Sequence, residues 1–186
     1  MEKNIEHYVL KVKLLDKKLC KTIVEELQHV KWMIHYWSSP ERGISHVNKD
    51  QEPEQSSDIT RSHELIIKKI HPKLQDYMNH IKTKWYYNWN GYTNLKWIKY
   101  NSTSKMNIHC DHISGFYGGS PYGIPTLTCV CSLNDDFTGG DVVFFQNKKM
   151  NMKIGEMIIF PSNFLFPHEI KPIKKGTRYS FVSWVY

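Results

Sequence analysis

The sequence lacks most of the features that mark secreted or membrane proteins. It contains four cysteines among 186 residues, too few and too unevenly spaced for a disulfide framework or a structural zinc site. No run of 18 or more apolar residues occurs, so no segment is expected to span a membrane. The N-terminus has no basic stretch followed by an apolar one, so no signal peptide is predicted. These absences favour a reduced, cytoplasmic protein with no membrane partner.

Basic residues exceed acidic ones but do not form a cluster. The chain has 25 Lys and Arg against 18 Asp and Glu, a net charge of +7. Such an excess can mark a nucleic-acid surface. Here the lysines are spread along the whole chain without a block of five or six, which is typical of a solvated surface. Nucleic acid therefore stays open as a partner but is less favoured.

The N-terminal half, residues 1–93, is predicted to be mainly helical. Residues 5–15 alternate loosely and predict an early strand. Asp16 is a predicted N-cap for a helix over residues 17–30. A second helix is predicted over residues 61–83, where Pro72 could kink or break it. Its apolar positions, three and four residues apart, are Leu65, Ile66, Ile70, Leu74, Met78 and Ile81.

Two non-helical segments separate these helices. The aromatic run WMIHYW at residues 32–37 predicts a strand, and the polar residues 38–60 show no periodicity and predict a loop. A loop of that length inside a compact domain is either disordered or functional.

From about residue 94 the sequence changes to short β-rich runs separated by turn signals. The runs are LKWIKY, TLTCVCSL, DVVFF, KIGEMIIF and RYSFVSWV. This pattern predicts an α+β, mainly β fold with a jelly-roll core over residues 94–186, against which the helices of residues 1–93 pack. Because no repeat and no clear boundary occur, residues 1–186 are expected to form one domain.

The C-terminal half also contains a candidate metal site. His109 and Asp111 stand at positions i and i+2, which point to one face of an extended segment. His168 follows 57 residues after Asp111 and supplies a third ligand type. Two imidazoles and one carboxylate form the facial triad of non-heme Fe(II) oxygenases. His-x-Asp alone is a weak signal, and His112 and the other seven histidines are interpreted as loop, surface or core residues.

An arginine ten residues after His168 strengthens this interpretation. Arg178 begins a predicted strand on which Ser180, Val182 and Trp184 share its face. An inward-facing arginine is unfavourable unless an anion meets it, and a dicarboxylate would do so through a bidentate fork. The alternative is an arginine in a surface salt bridge.

Over residues 94–186 these motifs, in this order, resemble the prolyl 4-hydroxylase-like 2-oxoglutarate oxygenases. The matching pieces are Tyr100, HCD at 109–111, LTCVCSLNDDFTGGDVVFF at 127–145, GEMIIFPS at 155–162, PHEI at 167–170 and GTRYSFVSW at 176–184. The resemblance implies a double-stranded β-helix with Fe(II) held by His109, Asp111 and His168. It also implies that 2-oxoglutarate chelates the iron and that its distal carboxylate pairs with Arg178.

The resemblance implies further pocket residues and an activity. Those expected to line the site are Tyr100, Thr128, Val130, Ser132, Val142 and Phe144, with Trp184 closing its floor. The implied reaction uses O2, with ascorbate in support, to hydroxylate a prolyl residue of a peptide or protein, and it releases succinate and CO2. Residues 38–60 match in position a mobile loop that closes over the peptide in prolyl hydroxylases, which makes them a candidate substrate lid.

Three positions depart from the family pattern and three other functions stay open. Ser132 stands where several relatives carry a cosubstrate-binding tyrosine, Met106 replaces a common aromatic residue, and collagen-type members often carry lysine at the place of Arg178. One alternative is an oxygenase of the same fold acting on nucleic acid or a free amino acid, although the second arginine of the alkylation-repair group is missing after Arg178. The others are a catalytically silent jelly roll and a zinc hydrolase, for which no general base is evident.

Overall fold

The computed structural model describes residues 4–39, 43–45, 48–82, 89–111 and 124–186. Two α-helices are present among them, α1 (Lys17–Glu26) and α2 (His63–Ile81). The strands are β1 (Leu10–Lys13), β2 (Met33–Ile34), β3 (Trp37–Ser39), β4 (Gly43–Ser45), β5 (Glu54–Ser56), β6 (Lys96–Tyr100), β7 (Met106–His109), β8 (Leu127–Ser132), β9 (Thr138–Gly139), β10 (Val142–Phe144), β11 (Lys148–Met150), β12 (Glu156–Pro161), β13 (His168–Ile170), β14 (Ile173–Lys175) and β15 (Arg178–Val185). Short 3₁₀ turns cover Ile5–Tyr8, Leu27–His29 and Lys49–Gln51.

Two antiparallel sheets form a double-stranded β-helix, the predicted jelly roll. The larger sheet has seven strands in the order β1-β12-β8-β15-β6-β5-β2, and the smaller has four in the order β11-β10-β13-β7. The N-terminal half thus contributes β1, β2 and β5 to the larger sheet. Two-stranded ribbons, β14-β9 and β3-β4, complete the pairing.

The two faces of β8 show how the larger sheet divides the interior. Cys129 and Cys131 face a core built with α1 and α2, whereas Val130 packs against the cluster between the sheets. This is the alternation expected of a strand. Thr128 and Ser132 share the face of Val130, as the sequence predicts, so this face of the larger sheet contributes two polar residues to the candidate site.

Both predicted helices exist, with small differences in extent. Asp16 caps α1 by accepting a hydrogen bond of 2.8 Å from the Leu19 N–H. Pro72 lies inside α2 without ending it; it stands on the exposed side, while Ile70 and Leu74 on either side are fully buried. The predicted core residue Leu65 is instead 46% exposed. No helix in the described part of the chain combines the length and apolarity needed to cross a bilayer.

The segments predicted as an early strand and as a loop differ from the sequence-based prediction. Residues 5–8 form a 3₁₀ turn capped by Asn4, and the strand begins only at Leu10. The 38–60 segment contains the end of β3, then β4, a 3₁₀ turn and β5, while residues 40–42 and 46–47 lie outside the described residues. β5 pairs with β6, so part of the predicted loop is a strand of the larger sheet; its pairing partner is distant in sequence, and local periodicity therefore does not reveal it.

Candidate metal centre

Three predicted ligands meet where two strands of the smaller sheet lie side by side. His109 is the last residue of β7 and pairs directly with His168, the first residue of β13. Asp111 lies two residues beyond His109. One ligand atom from each residue lies within 4.8 Å of the others, with 3.6 Å from His109 Nε2 to Asp111 Oδ1 and 3.9 Å from His168 Nε2 to Asp111 Oδ2. One ion can therefore reach all three side chains.

Backbone carbonyls orient both imidazoles. His109 Nδ1 lies 2.7 Å from the Asn107 oxygen, and His168 Nδ1 lies 3.2 Å from the Phe166 oxygen. Because a carbonyl oxygen only accepts, each Nδ1 carries the proton and donates it. Each Nε2 then faces Asp111, so that its lone pair, once the nitrogen is deprotonated, points to where a metal would bind.

The electrostatics of these residues favour a cation. Burial opposes the ionisation of Asp111, but the neighbouring His168 and His109 and the hydrogen bond from Thr128 outweigh it and hold the pKa of Asp111 well below its usual range. Burial and the neighbouring His109 lower the pKa of His168 to about 4. At neutral pH His168 is therefore neutral and Asp111 is ionised, the forms that bind metals. Burial also acts against protonated His109, but Asp111 raises the pKa of His109 overall, so a metal and a proton compete for this histidine.

A chain of two hydroxyls holds the carboxylate in place. Thr128 donates a 2.7 Å hydrogen bond to Asp111 Oδ2, and its oxygen lies 2.8 Å from Ser162 Oγ. Since the single proton of Thr128 goes to the carboxylate, Ser162 is the donor to Thr128. Both hydroxyls are fully buried, so they hold the carboxylate in one orientation between the two histidines.

Arg178 begins β15 and is almost fully buried, with 1% of its surface exposed. Its Nη1 is 3.4 Å from Ser180 Oγ, and its guanidinium lies 5.1 Å from the Tyr100 ring. Its Nη2 has no hydrogen-bond partner among the described residues. Burial lowers the pKa of Arg178 and raises that of Tyr100 to about 12, so the guanidinium stays charged beside a neutral phenol. A buried cation with an unsatisfied nitrogen is unfavourable unless an anion binds there.

The residues of the SLNDDFTGG motif hold Arg178 in position. The Asn134 side chain accepts a hydrogen bond from the Tyr179 N–H and donates one to the Thr177 oxygen, so it brackets Arg178 on the backbone. Gly140 has φ +65°, and a Cβ there would lie 3.2 Å from Arg178 Cδ and 2.5 Å from the Ile173 side chain. Only glycine suits both this backbone conformation and this contact.

A cavity of about 300 Å³ opens onto the three ligands, and a smaller one of about 170 Å³ lies against Arg178. Val142 lines both. The larger is lined mostly by apolar side chains; its polar and aromatic lining residues are His35, Tyr36, Lys96, Tyr100, His109, Asp111, Phe160, His168, Ser180, Phe181 and Trp184. Ser132 lies in the smaller cavity beside Arg178. A metal at the triad and an anion at Arg178 would thus occupy neighbouring spaces.

Comparison with known proteins agrees with this geometry. Residues 95–186 match the model of the 2OG-Fe(II) oxygenase superfamily. The chain belongs to this superfamily. Its members use Fe(II), 2-oxoglutarate and O2. Two histidines and one aspartate fit the iron, and a buried arginine fits the carboxylate of 2-oxoglutarate.

Curated and solved relatives point in the same direction. A PKHD-type hydroxylase of Prochlorococcus marinus (strain MIT 9515) is 31% identical over 86 residues, 44% of this chain and 38% of the relative. A prolyl hydroxylase from Trichoplax adhaerens, solved with a hypoxia inducible factor peptide fragment, superimposes with a TM-score of 0.68 at 17% identity, covering 97% of this chain and 84% of that one. The viral collagen prolyl hydroxylase of Paramecium Bursaria Chlorella virus-1 gives 0.62 at 15% identity, with 96% and 94% covered. At these identities the structures support the superfamily fold.

The remaining predicted pocket residues of this superfamily member fall into two groups. Val130, Val142 and Trp184 line the larger cavity, as predicted. Thr128 and Phe144 do not line it. The Thr128 hydroxyl donates its hydrogen bond to Asp111, and Phe144 is fully buried with its ring centre 5.4 Å from that of His168. His112 lies outside the described residues.

Four residues at the site have no signal in the sequence. His35 and Tyr36 line the larger cavity although His35 is predicted as a surface or core residue; the hydrogen bond from its N–H to the Pro53 oxygen joins two segments of the N-terminal half. In the sequence, Ser162 is only the last residue of the GEMIIFPS segment, at a turn, and nothing predicts its contact with Thr128. In the sequence, Lys96 is one of many scattered lysines that predict a solvated surface. Only the pairing of β6 with β15 brings it into the cavity.

Removal of the Thr128 hydroxyl is expected to weaken metal binding about 10- to 100-fold, the usual effect of losing an outer-shell partner of a ligand. Thr128→Val keeps the size and shape of the side chain but leaves Asp111 without its donor. The dissociation constant of Mn²⁺, followed by the EPR signal of the free ion, measures the change. Thr126→Val at the exposed approach to β8 is the control, and equal affinities in the two variants would contradict this role for Thr128.

Proposed function

We propose that the chain is an Fe(II)- and 2-oxoglutarate-dependent dioxygenase that hydroxylates prolyl residues in a peptide or protein and releases succinate and CO2. The observation that carries the proposal is the pairing of His109, Asp111 and His168 with a buried arginine whose Nη2 is unsatisfied among the described residues. A catalytically silent jelly roll has no need to bury such a cation. The structural likeness to prolyl hydroxylases supports the prolyl substrate.

Each part of the chain has a separate task in this proposal. His109, Asp111 and His168 would hold Fe(II), which together with 2-oxoglutarate and O2 supplies the oxidising power for C–H hydroxylation. Arg178 would bind and orient the distal carboxylate of 2-oxoglutarate. The apolar lining of the larger cavity excludes water from the site, and Thr128 keeps the ligand carboxylate in one orientation.

Substrate-dependent turnover of 2-oxoglutarate tests the proposal. The protein is loaded with Fe(II), ascorbate and 2-oxoglutarate without oxygen, and the weak visible charge-transfer band is recorded. Oxygen is then admitted with a panel of proline-containing peptides, and succinate is measured. A band and peptide-stimulated succinate are expected. Stimulation only by single-stranded oligonucleotides would replace the prolyl substrate with nucleic acid, and the absence of both band and bound iron would contradict the enzyme itself.

Residues 38–60 are the proposed substrate lid. In support, His35 and Tyr36 line the cavity, and the β3-β4 ribbon follows them directly. The peptide that stimulates succinate release should then protect this segment from limited proteolysis, and the same cleavage with and without peptide would contradict a lid.

A further inference from the structure

Lys96 is the one lysine or arginine among the described residues that line the larger cavity. It is the first residue of β6 and shares a strand face with Ile98 and Tyr100, which also line the cavity. Its ammonium group lies over the Trp184 ring, 5.2 Å from the ring centre. The side chain therefore points into the space where the substrate would enter, at the opposite end of β6 from Tyr100 and its partner Arg178.

The ammonium group has no acceptor in the described part of the chain: none lies within hydrogen-bond or ion-pair distance. Lys99, on the other face of the same strand, shows the usual alternative, with its Nζ 2.6 Å from Glu54. Burial lowers the pKa of Lys96, opposed only by the charge of Asp111. The oxygens of Asp111 already face Thr128 and the two histidines.

Metal binding would make this end of the cavity more positive. A divalent cation at the triad takes up the charge of Asp111, the nearest anion that Lys96 senses. A partly exposed ammonium group next to a metal and apolar walls then favours an anion from outside the chain. Because Arg178 lies at the far end of β6, the distal carboxylate of 2-oxoglutarate is not that anion.

We propose that Lys96 selects substrates that carry a carboxylate close to the carbon to be hydroxylated, with Trp184 packing beside the aliphatic part. This inference rests on the proposed oxygenase activity; it restricts peptide substrates to those with the reacting residue at the C-terminus and admits a free amino acid as well. A single ammonium group matches one carboxylate, whereas a phosphate is usually met by several cationic donors. The carboxylate comes either from a free amino acid or from the C-terminus of a peptide.

Matched acid and amide probes test this selection. The pairs are L-proline with L-prolinamide, and glycyl-L-proline with its amide; an internally placed, capped proline peptide is the third probe. The ratio of kcat/KM for acid over amide, from succinate release, is expected to be about 10 to 100 in the wild type, the range for a hydrogen bond to a charged group. Lys96→Met should bring the ratio close to one, and Lys96→Arg should keep most of it. Lys99→Met, on the other face of β6, should not change it.

Binding without turnover provides a second readout. With Mn²⁺ and 2-oxoglutarate bound, calorimetric titration of the acid probes should show the same loss of affinity in Lys96→Met and unchanged affinity for Mn²⁺. A purely structural lysine would instead alter Mn²⁺ binding and leave the acid-to-amide ratio intact.

The outcomes separate this inference from the proposed function. The pair that shows the preference tells whether the carboxylate belongs to a free amino acid or to a peptide terminus. If succinate is released without any preference for acids, or if the preference survives in Lys96→Met, the role of Lys96 is wrong and the proposed oxygenase activity is unaffected. If an oligonucleotide stimulates succinate release and this stimulation requires Lys96, the proposal that Lys96 binds a substrate carboxylate is also wrong. Failure of the proposed function looks different, since iron then does not bind and no succinate forms with any probe.

Discussion

Replacement of His168 by alanine is expected to reduce succinate release to background and to abolish stoichiometric binding of Fe(II). The reason is geometric: His168 faces His109 across the β7-β13 pair, and its Nε2 is already turned toward Asp111. With two ligands left, the ion loses both affinity and a fixed orientation. The loss should exceed the ~10- to 100-fold effect of an outer-shell change such as Thr128→Val. Iron content after gel filtration and succinate release measure the two effects.

The control for this variant is His29→Ala, which removes an exposed histidine from the turn after α1. It should keep wild-type iron content and turnover. Far-UV circular dichroism should show that both variants are folded, because the hydrogen bond lost with His168 goes to a single carbonyl oxygen. Normal activity in folded His168→Ala would show that His168 is not a ligand.

Replacement of Arg178 by methionine is expected to have two opposite effects. The KM for 2-oxoglutarate should rise about 10- to 100-fold, the equivalent of roughly 1.5–3 kcal/mol for a hydrogen bond to a charged group. Without cosubstrate, however, the variant should be more stable than the wild type by about 1 kcal/mol or more, because a buried donor without a partner costs about that much. The apolar stem of methionine keeps part of the packing beside Gly140.

Thermal unfolding and steady-state kinetics test the two effects together. 2-Oxoglutarate should raise the melting temperature of the metal-loaded wild type more than that of Arg178→Met, since a ligand stabilises a protein according to its affinity. Lys175→Met, an exposed change three residues earlier, should alter neither quantity. An unchanged KM in Arg178→Met would place the distal carboxylate elsewhere.

The strands that carry the site could be predicted because their signals are local. Val142 and Val130 belong to runs with β-propensity, and the turns between the runs contain Gly, Asn and Pro. The spacing of His109 and Asp111 also predicts that both side chains point the same way, since residues two apart on an extended segment lie on the same face. The structure brings His168 to them because β13 pairs with β7.

The contacts that refine the site could not be predicted, because each joins residues far apart in sequence. Ser162 reaches Thr128 across the β8-β12 pair, 34 residues away. Lys96 enters the cavity because β6 lies beside β15. β5 could not be predicted from the polar composition of residues 38–60, because it forms by pairing with β6 and has no periodicity of its own.

The two faces of β8 also separate oxidising chemistry from three of the four cysteine thiols. Cys129, Cys131 and Cys20 all lie fully buried on the helical side, while the opposite face holds the proposed iron ligand through Thr128. Burial raises the pKa of Cys129 to about 12 and that of Cys20 to about 11, so these thiols stay protonated, the form least reactive toward peroxide and other oxidants. One layer of backbone thus lies between these three thiols and the cavity at the proposed iron site.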